Sequence, residues 1–317
     1  MMQIAEAAKL SRTILEALQQ VIVGKERVLQ HLLLGLFSGG NILIEDFPGL
    51  AKTLTARLIA QVTGLEFKRI QFTPDLLPGD ITGGLIYNQK RGEFEFRPGP
   101  LFTNLVLADE VNRAPPKTQA ALLEVMQERQ VTIEGTTHPV PLPFVVLATQ
   151  NPIELEGTYP LPEAQLDRFV MRLRVGYPGP EEERQILALR GARRQEKVDL
   201  VPMIDAAQLL EVQATVEQVH ASEPIERYIV SLTTATRQHG QVQVGASPRG
   251  SLALYQLSRA HAMVDERDFV LPDDVKAMAT AALAHRLLLK PELWVRGIQA
   301  EQIVRDILER TPIPKVD

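Results

Sequence analysis

Short apolar runs that end in polar or charged side chains are the feature that most constrains the fold of this chain. The run Leu105–Ala108 is followed directly by two carboxylates, Asp109 and Glu110. A short, continuous apolar run is typical of a buried strand in a parallel sheet. Because charges are rarely fully buried, we expect the pair at the C-terminal end of that strand, the edge where open α/β sheets bind ligands. One carboxylate there could hold Mg²⁺ while its neighbour activates water, although an ordinary strand end would look the same.

A second apolar run, residues 41–44, leads into a turn with the context of a phosphate-binding loop. Residues 54–60, after the turn, have helical spacing and no Pro or Gly, so the order is strand, turn, helix. In such a loop, backbone N–H groups face the phosphates, Lys52 reaches the β/γ oxygens and the Thr53 hydroxyl ligates Mg²⁺.

The loop departs from the strict pattern G-x-x-x-x-G-K-[ST] at both glycine positions. Asp46 stands at the first and Ala51 at the second, so that only Gly49 remains. Ala51 is tolerable if its backbone is helical, because it adds only a methyl group. A carboxylate repels phosphates, so we expect Asp46 to point away or to cap a backbone N–H. Taken alone, the segment also fits an exposed turn with an ordinary surface lysine.

Three further elements follow along the chain. An apolar run, residues 144–148, leads to Asn151, whose amide could orient an attacking water and sense a γ-phosphate. Arg168 follows a predicted helix end. Residues 247–248 begin a helix with a proline in its first turn, which places Arg249 near the helix N-terminus, where we expect it to face the cleft. The order of these elements is hard to obtain by chance.

The segment 177–180 is the clearest break in the chain. Before it, strands alternate with helices, which predicts a parallel-sheet domain over residues 1–178 that includes an N-terminal helix. After it, residues 179–317 predict a small all-helical lid. The predicted lid helices are Glu182–Arg193, Ala206–Gln218, Glu223–His239, Pro248–Glu266, Pro272–Leu288 and Ala300–Arg310.

Two insertions into the first domain are predicted as β-hairpins. Residues 85–97 turn at 90–92 and alternate with period two after the turn. Residues 130–140 turn at 134–135. Short alternating segments on either side of a glycine-containing turn are typical of hairpins.

Several longer runs resemble those of MoxR-type AAA+ ATPases, over nearly the whole chain. Relatives also carry irregular phosphate loops, with Asp or Gly at the Asp46 position and Ala or Gly at the Ala51 position. The matching runs are Val23-Gly24, Glu45–Thr53, Phe72–Asp80, Gly92–Pro100, Ala108–Gln119, Ala148–Glu154 and Leu161–Phe169.

The resemblance implies an α/β fold in which an AAA+ parallel-sheet, P-loop nucleotide-binding domain with two β-hairpin inserts precedes the helical lid. It implies ATP and Mg²⁺ as cofactors and ATP hydrolysis as the activity. The resemblance implies that Thr53 and Asp109 bind Mg²⁺ and that Glu110 polarises the water. Asn151 and, in the lid, Arg249 are implied as sensors, and Arg168 as a finger that reaches the nucleotide of the neighbouring subunit. The residues implied to bind the nucleotide, the first two of them near the adenine, are Val23, Gly24, Pro48, Gly49, Leu50, Ala51, Lys52, Thr53 and Leu54.

The resemblance also implies a homo-oligomer, expected as a hexameric ring, that remodels or activates partner proteins, commonly proteins with von Willebrand factor A-like domains. Two alternatives stay open. One is an ATPase subunit of magnesium-chelatase type, which shares the two-insert architecture; the runs around Asn112 and Glu163 are more similar to MoxR proteins. The other is a nucleotide-binding scaffold that does not hydrolyse, against which the intact Lys52 and Glu110 argue.

Composition bounds the remaining possibilities. The chain has no cysteine, which excludes disulfides and Cys-ligated metal sites. No apolar stretch approaches the ~18 residues of a membrane span, and the N-terminus lacks the features of a signal peptide, so we expect a soluble cytoplasmic protein. The net charge of −5 gives no support to nucleic-acid binding and so argues against a further alternative, a DNA-translocating motor.

Overall fold

The computed structural model describes residues 2–151, 157–195, 197–294 and 296–315, so residues 152–154 of one matching run lie outside the described residues. The helices are α1 (Ile4–Gln19), α2 (Glu26–Phe37), α3 (Lys52–Val62), α4 (Pro78–Thr82), α5 (Pro116–Glu128), α6 (Glu163–Leu166), α7 (Pro180–Arg193), α8 (Ala206–Val216), α9 (Glu223–Gln238), α10 (Pro248–Val264), α11 (Pro272–Leu283), α12 (Pro291–Trp294) and α13 (Ala300–Arg310). The strands are β1 (Ile42–Glu45), β2 (Phe67–Gln71), β3 (Gly83–Asn88), β4 (Glu93–Pro98), β5 (Leu105–Asp109), β6 (Gln130–Ile133), β7 (Thr136–Pro139), β8 (Val145–Gln150), β9 (Met171–Leu173), β10 (Val242–Val244) and β11 (Leu288–Leu289).

Five strands form one parallel sheet in the order β2-β5-β8-β1-β9. Along β5, Leu105 and Leu107 face one apolar cluster, while Val106 and Ala108 face another on the opposite side. Because both faces of the strand are buried, its sequence is a continuous apolar run and does not alternate. The predicted parallel α/β sheet is confirmed.

The strand order decides which residues meet. β5, β8 and β1 are consecutive neighbours at the centre of the sheet and run in the same direction. Their C-terminal ends therefore lie at one edge, where β5 ends at Asp109, β8 ends at Gln150 and β1 leads into the loop before α3. A ligand cleft between strand ends is the expected consequence of this topology.

One apolar cluster extends from the sheet into the lid. It contains Ile14 and Leu18 of α1, Ile42 of β1 and Leu254 and Leu257 of α10, and each of these side chains is fully buried. α1 packs against α10 as well as against α2. The N-terminal helix therefore lies between helices α2 and α3 of the first domain and helices α8 and α10 of the lid. The boundary between residues 178 and 179 stays a prediction.

The lid contains all the predicted helices and one short helix that was not predicted, α12, but the predicted end of α11 is wrong. α11 ends at Leu283, not at Leu288, because a 3₁₀ turn follows and β11 then pairs antiparallel with β10. Val242 and Leu289 are paired in this ladder and both are buried. Among its described residues, the lid is thus helical apart from the two short strands β10 and β11, so the prediction of an all-helical lid needs this correction. None of the described helices is both long enough and apolar enough to cross a membrane.

Both predicted hairpins are present. β3 pairs with β4 and β6 pairs with β7, each antiparallel. The two hairpins contact each other, since the Phe96 ring stacks on the His138 ring with centroids 3.9 Å apart. Phe96 also packs edge-on against Phe102, at 5.3 Å. Tyr87 and Phe94 form a second edge-on pair, but 52% and 67% of these two residues are exposed. Part of the aromatic set therefore anchors the hairpin and part faces solvent.

Candidate functional site

A cleft of about 410 Å³ lies at the C-terminal edge of the sheet. Lys52 and Thr53 reach it from the start of α3, Asp109 and Glu110 from the end of β5, and Asn151 from the residue after β8. Asp109 and Asn151 are buried. The structure thus brings together the residues that three separate segments of the sequence predicted.

The phosphate loop keeps its turn with one glycine in place of two. Ala51 has φ 54° and ψ 21°, so it lies in the left-handed region, and the condition under which it was expected to fit, a helical backbone, is not met. The strict pattern has glycine here because other residues enter this region at a cost of roughly 1–2 kcal/mol. Gly49 also has a positive φ, 81°. Some backbone strain is therefore built into the residue that precedes Lys52, as is common at functional sites.

Asp46 caps backbone groups, as expected. Its Oδ1 accepts a hydrogen bond from the Phe47 N–H at 2.8 Å and its Oδ2 accepts one from the Gly176 N–H at 2.5 Å. The Lys52 ammonium donates to the Asp46 carbonyl oxygen at 2.8 Å. Burial lowers the pKa of Lys52, and the carboxylates of Asp46, Asp109 and Glu110 oppose that shift. Through its hydrogen bond with Gly176, the Asp46 carboxylate connects the phosphate loop to the segment that follows β9.

Both oxygens of Asp109 have partners. The Arg69 guanidinium donates to Oδ2 from Nε at 3.0 Å and from Nη2 at 2.8 Å, and the Thr149 hydroxyl donates to Oδ1 at 2.6 Å. Hydroxyl and carboxylate oxygens are ligands that Mg²⁺ takes, so Thr53 and Asp109 fit a magnesium site. Arg69 lies in the same cleft and would have to leave the carboxylate if Mg²⁺ bound it.

The neighbouring carboxylate is held in a different way. Glu110 Oε2 accepts from Gln71 Nε2 at 2.8 Å and pairs with Arg113 Nε at 3.3 Å. The Glu110 N–H donates to the Thr149 hydroxyl at 2.8 Å, and the Glu110 backbone is left-handed, with φ 58° and ψ 50°. The left-handed backbone of Glu110 and its hydrogen bond to Thr149 together fix the position from which the Glu110 side chain extends.

Sequence reasoning missed these partners. Arg69 and Gln71 occupy alternate positions of β2 and so lie on one face of that strand. The alternation of polar residues around the buried Ile70 is the signal that could have identified them. Thr149 directly follows the apolar run 144–148, and no local pattern indicates that its hydroxyl reaches Asp109.

A smaller apolar cleft of about 170 Å³ adjoins the phosphate loop. Val23, Leu50 and Leu54 line it, while Pro48 lines the polar cleft. Gly24 is not among the described lining residues. It has φ +69°, and a Cβ there would lie 2.1 Å from the Glu182 carboxyl carbon, so the Glu182 side chain of α7 occupies the space beside it.

Arg168 and Arg249 lie together in a third cleft of about 310 Å³. Arg168 Nη1 donates to the Leu123 carbonyl oxygen of α5 at 2.7 Å, and Arg249 Nη2 approaches Gln127 Oε1 of the same helix at 3.4 Å. Neither arginine is among the described residues lining the Lys52 cleft. The expectation that Arg249 faces that cleft in its own chain is therefore wrong, because the lid docks with the start of α10 beside α5.

Asp167 connects this arginine cleft to the lid. Its Oδ1 accepts from Arg286 Nε and its Oδ2 from the Ser247 hydroxyl, each at 2.8 Å. Ser247 in turn caps α10 by accepting from the Arg249 N–H at 3.1 Å. Arg168 and the helix that carries Arg249 are thus joined through one carboxylate.

Comparison with known proteins agrees with this architecture. Residues 41–171 match the family described as "ATPase family associated with various cellular activities (AAA)", and residues 234–307 match the AAA lid domain. YeaC of Bacillus subtilis is 50% identical over 299 residues, which cover 94% of this chain and 93% of that protein. Chaperone MoxR1 of Mycobacterium tuberculosis is 45% identical over 322 residues, covering 99% of this chain and 84% of that protein.

A crystal structure from Cytophaga hutchinsonii superposes on this chain with a TM-score of 0.91 at 42% identity, covering 98% of this chain and 97% of that one. Similarity to magnesium-chelatase subunits is more distant: the 38 kDa subunit of Cereibacter sphaeroides is 28% identical over 78% of this chain. The sheet, the phosphate loop, the helical lid and the near full-length match to MoxR1 lead to one assignment. The chain belongs to the MoxR family of AAA ATPases.

Proposed function

We propose that this protein hydrolyses ATP with Mg²⁺ and works as an oligomer that remodels partner proteins. The observation that carries the proposal is the cleft in which Lys52, Thr53, Asp109, Glu110 and Asn151 meet. Phosphoryl transfer from ATP needs a cation for the phosphates, oxygen ligands for the metal and a group that orients water, held in place before the reaction.

Each side chain then has a defined task. Lys52 binds phosphate oxygens, and Thr53 and Asp109 hold Mg²⁺, which when bound neutralises phosphate charge. Glu110 orients and deprotonates the attacking water once its carboxylate turns from Gln71 and Arg113. Asn151 positions the same water from the neighbouring strand.

The position of Arg168 supports an oligomer. It lies with Arg249 in a cleft apart from Lys52, so neither contributes to its own subunit's cleft in this arrangement. Arginine fingers supplied by a second subunit stabilise charge on the transferred phosphoryl group. Both arginines would meet a nucleotide held by a neighbour, in a ring that we expect to be hexameric.

We expect Arg249→Ala to reduce turnover by about 10-fold while leaving ATP affinity unchanged, since a lost charge-assisted hydrogen bond is worth roughly 1.5–3 kcal/mol. The loss should appear only in the oligomer. Turnover and nucleotide affinity measured across a dilution series check this. Weaker ATP binding by the isolated Arg249→Ala subunit would instead mean that Arg249 contacts the nucleotide of its own subunit.

The hairpins suit a protein partner better than DNA. Arg91 is paired with Glu95 at 2.7 Å, which offsets part of the positive charge near the turn. Tyr87 and Phe94 are exposed beside it, and exposed aromatic side chains are common anchors of protein interfaces. A surface that tracks phosphates would instead present net positive charge.

We expect Tyr87→Ser with Phe94→Ser to leave basal ATPase activity within about two-fold, because the pair packs on itself, while partner capture falls by more than about 10-fold. Capture is measured by immobilising Glu110→Gln protein with and without the two changes and identifying the retained proteins. Val230→Ser, an exposed apolar residue of α9, is the matched control. Salt-sensitive DNA binding that the same pair removes would instead favour a DNA motor.

The class of partner is the second part of the proposal. MoxR-type relatives are linked to proteins with von Willebrand factor A-like domains, and the capture experiment identifies whether such a protein is retained. A magnesium-chelatase-type role would instead yield metal-insertion subunits in the same capture. A scaffold without hydrolysis would bind ATP without turnover even in the wild type.

A further inference from the structure

Arg69 is a cation of the cleft with no role in the functions argued so far. It lies on β2, the edge strand beside β5, and its guanidinium directs two N–H groups at one oxygen of Asp109. Its side chain is 48% exposed and lines the cleft with Lys52 and Thr53. It is therefore both bound to the proposed metal ligand and within the space where phosphates would lie.

Its partners form a chain across both carboxylates. Arg69 Nη2 also donates to Gln71 Oε1 at 2.5 Å, and Gln71 Nε2 donates to Glu110 Oε2 at 2.8 Å. A change at Asp109 that displaces Arg69 therefore removes a partner from Gln71, which holds Glu110. Metal binding and release of the base are connected through two residues of one strand.

Two cations cannot share the Asp109 oxygen without repulsion, so Arg69 and Mg²⁺ compete for it. A displaced guanidinium needs another anion, and phosphate oxygens suit its planar fork. Resting on the proposed ATPase function, we propose that Arg69 occupies Asp109 until Mg²⁺–ATP binds and then transfers to the terminal phosphate. Arg69 thereby senses the γ-phosphate from within its own subunit.

Loss of Arg69 should strengthen Mg²⁺ binding but weaken the preference for ATP over ADP. With ADP, which lacks the terminal phosphate, only competition operates, so Arg69→Met should lower the Mg²⁺ concentration at half-saturation by several-fold. With ATP, the variant also loses a phosphate contact, so the ratio of ATP to ADP affinity should fall by about 10-fold, as expected for one charge-assisted hydrogen bond.

The test is equilibrium titration of full-length protein with fluorescent ADP and ATP analogues over a Mg²⁺ series, with Glu110→Gln present in every protein to prevent hydrolysis. Lys68→Met is the matched control, since Lys68 is the adjacent residue, is exposed and pairs with Glu66 at 3.2 Å. Arg69→Lys keeps the cation but lacks the planar fork, so it should restore only part of the affinity ratio. Unfolding temperatures confirm that each variant is folded.

Two results would overturn the exchange. An Arg69→Met protein with wild-type Mg²⁺ half-saturation and an unchanged affinity ratio would leave Arg69 as a structural ion pair. A higher Mg²⁺ requirement for ADP would mean that Arg69 supports the metal site. Failure of the ATPase proposal looks different, because nucleotide would then bind equally well to Lys52→Ala protein.

Discussion

Replacing Glu110 with glutamine should leave ATP bound but reduce turnover by about 10²–10⁴-fold, the usual contribution of a general base. Glutamine keeps the size and hydrogen-bonding capacity of the side chain, so it can still accept from Gln71. It cannot take a proton from water. Lys52→Ala should fail earlier, at nucleotide binding, because Lys52 contacts the phosphates and has no role toward the water.

Equilibrium binding and steady-state turnover, measured on both variants, separate these defects. Glu128→Gln, at the end of α5, is a suitable control because it makes the same chemical change outside the cleft. Turnover of Glu110→Gln protein at the wild-type rate would remove the base assignment. Equal ATP affinity for wild-type and Lys52→Ala protein would remove the phosphate-binding role of the loop.

Subunits that carry Arg168→Ala should be inactive alone yet regain activity when mixed with equally inactive Lys52→Ala subunits. An arginine from a neighbouring subunit raises kcat by about 10³–10⁵-fold in other nucleotide hydrolases, so Arg168→Ala rings should be nearly inactive. Lys52→Ala rings should be nearly inactive because they do not bind ATP. In a random, equal mixture, about a quarter of the interfaces of a cyclic ring pair an intact Lys52 with an intact Arg168. Activity should recover accordingly.

Turnover is measured after dissociation and reassembly, with mixed assembly verified by tags on each variant. Subunits that carry both changes on one chain, mixed with Arg168→Ala subunits, are the control, because no interface in that mixture has both residues. Mixed rings that remain inactive would mean that Arg168 acts on the nucleotide of its own subunit. So would specific activity that does not change on dilution to a monomer.

Local patterns predicted much of this site. The apolar runs before Asp109 and Asn151 identify buried parallel strands, and parallel strands place their ends together whatever the details of packing. The role of Asp46 as a cap also followed from local chemistry, since a carboxylate beside phosphates must be satisfied by N–H donors.

What the sequence did not predict depends on contacts between distant segments. The Arg69–Asp109 pair requires β2 to lie beside β5, and the pairing of Val242 with Leu289 joins two segments that are separated in sequence by α10 and α11. The position of Arg249 depends on how the whole lid docks, which no local pattern encodes. The left-handed backbone of Ala51 runs against residue preference, because the loop geometry outweighs it.

The position of α1 between α2 and α3 on one side and the lid helices on the other has a practical consequence for dissecting the protein. A fragment that stops at residue 178 would keep α1 but lose α10, and would expose Ile14 and Leu18, which are fully buried in the intact chain. Contiguous exposed apolar surface of this kind promotes aggregation. Single substitutions in the full-length chain are therefore the sound way to study either half.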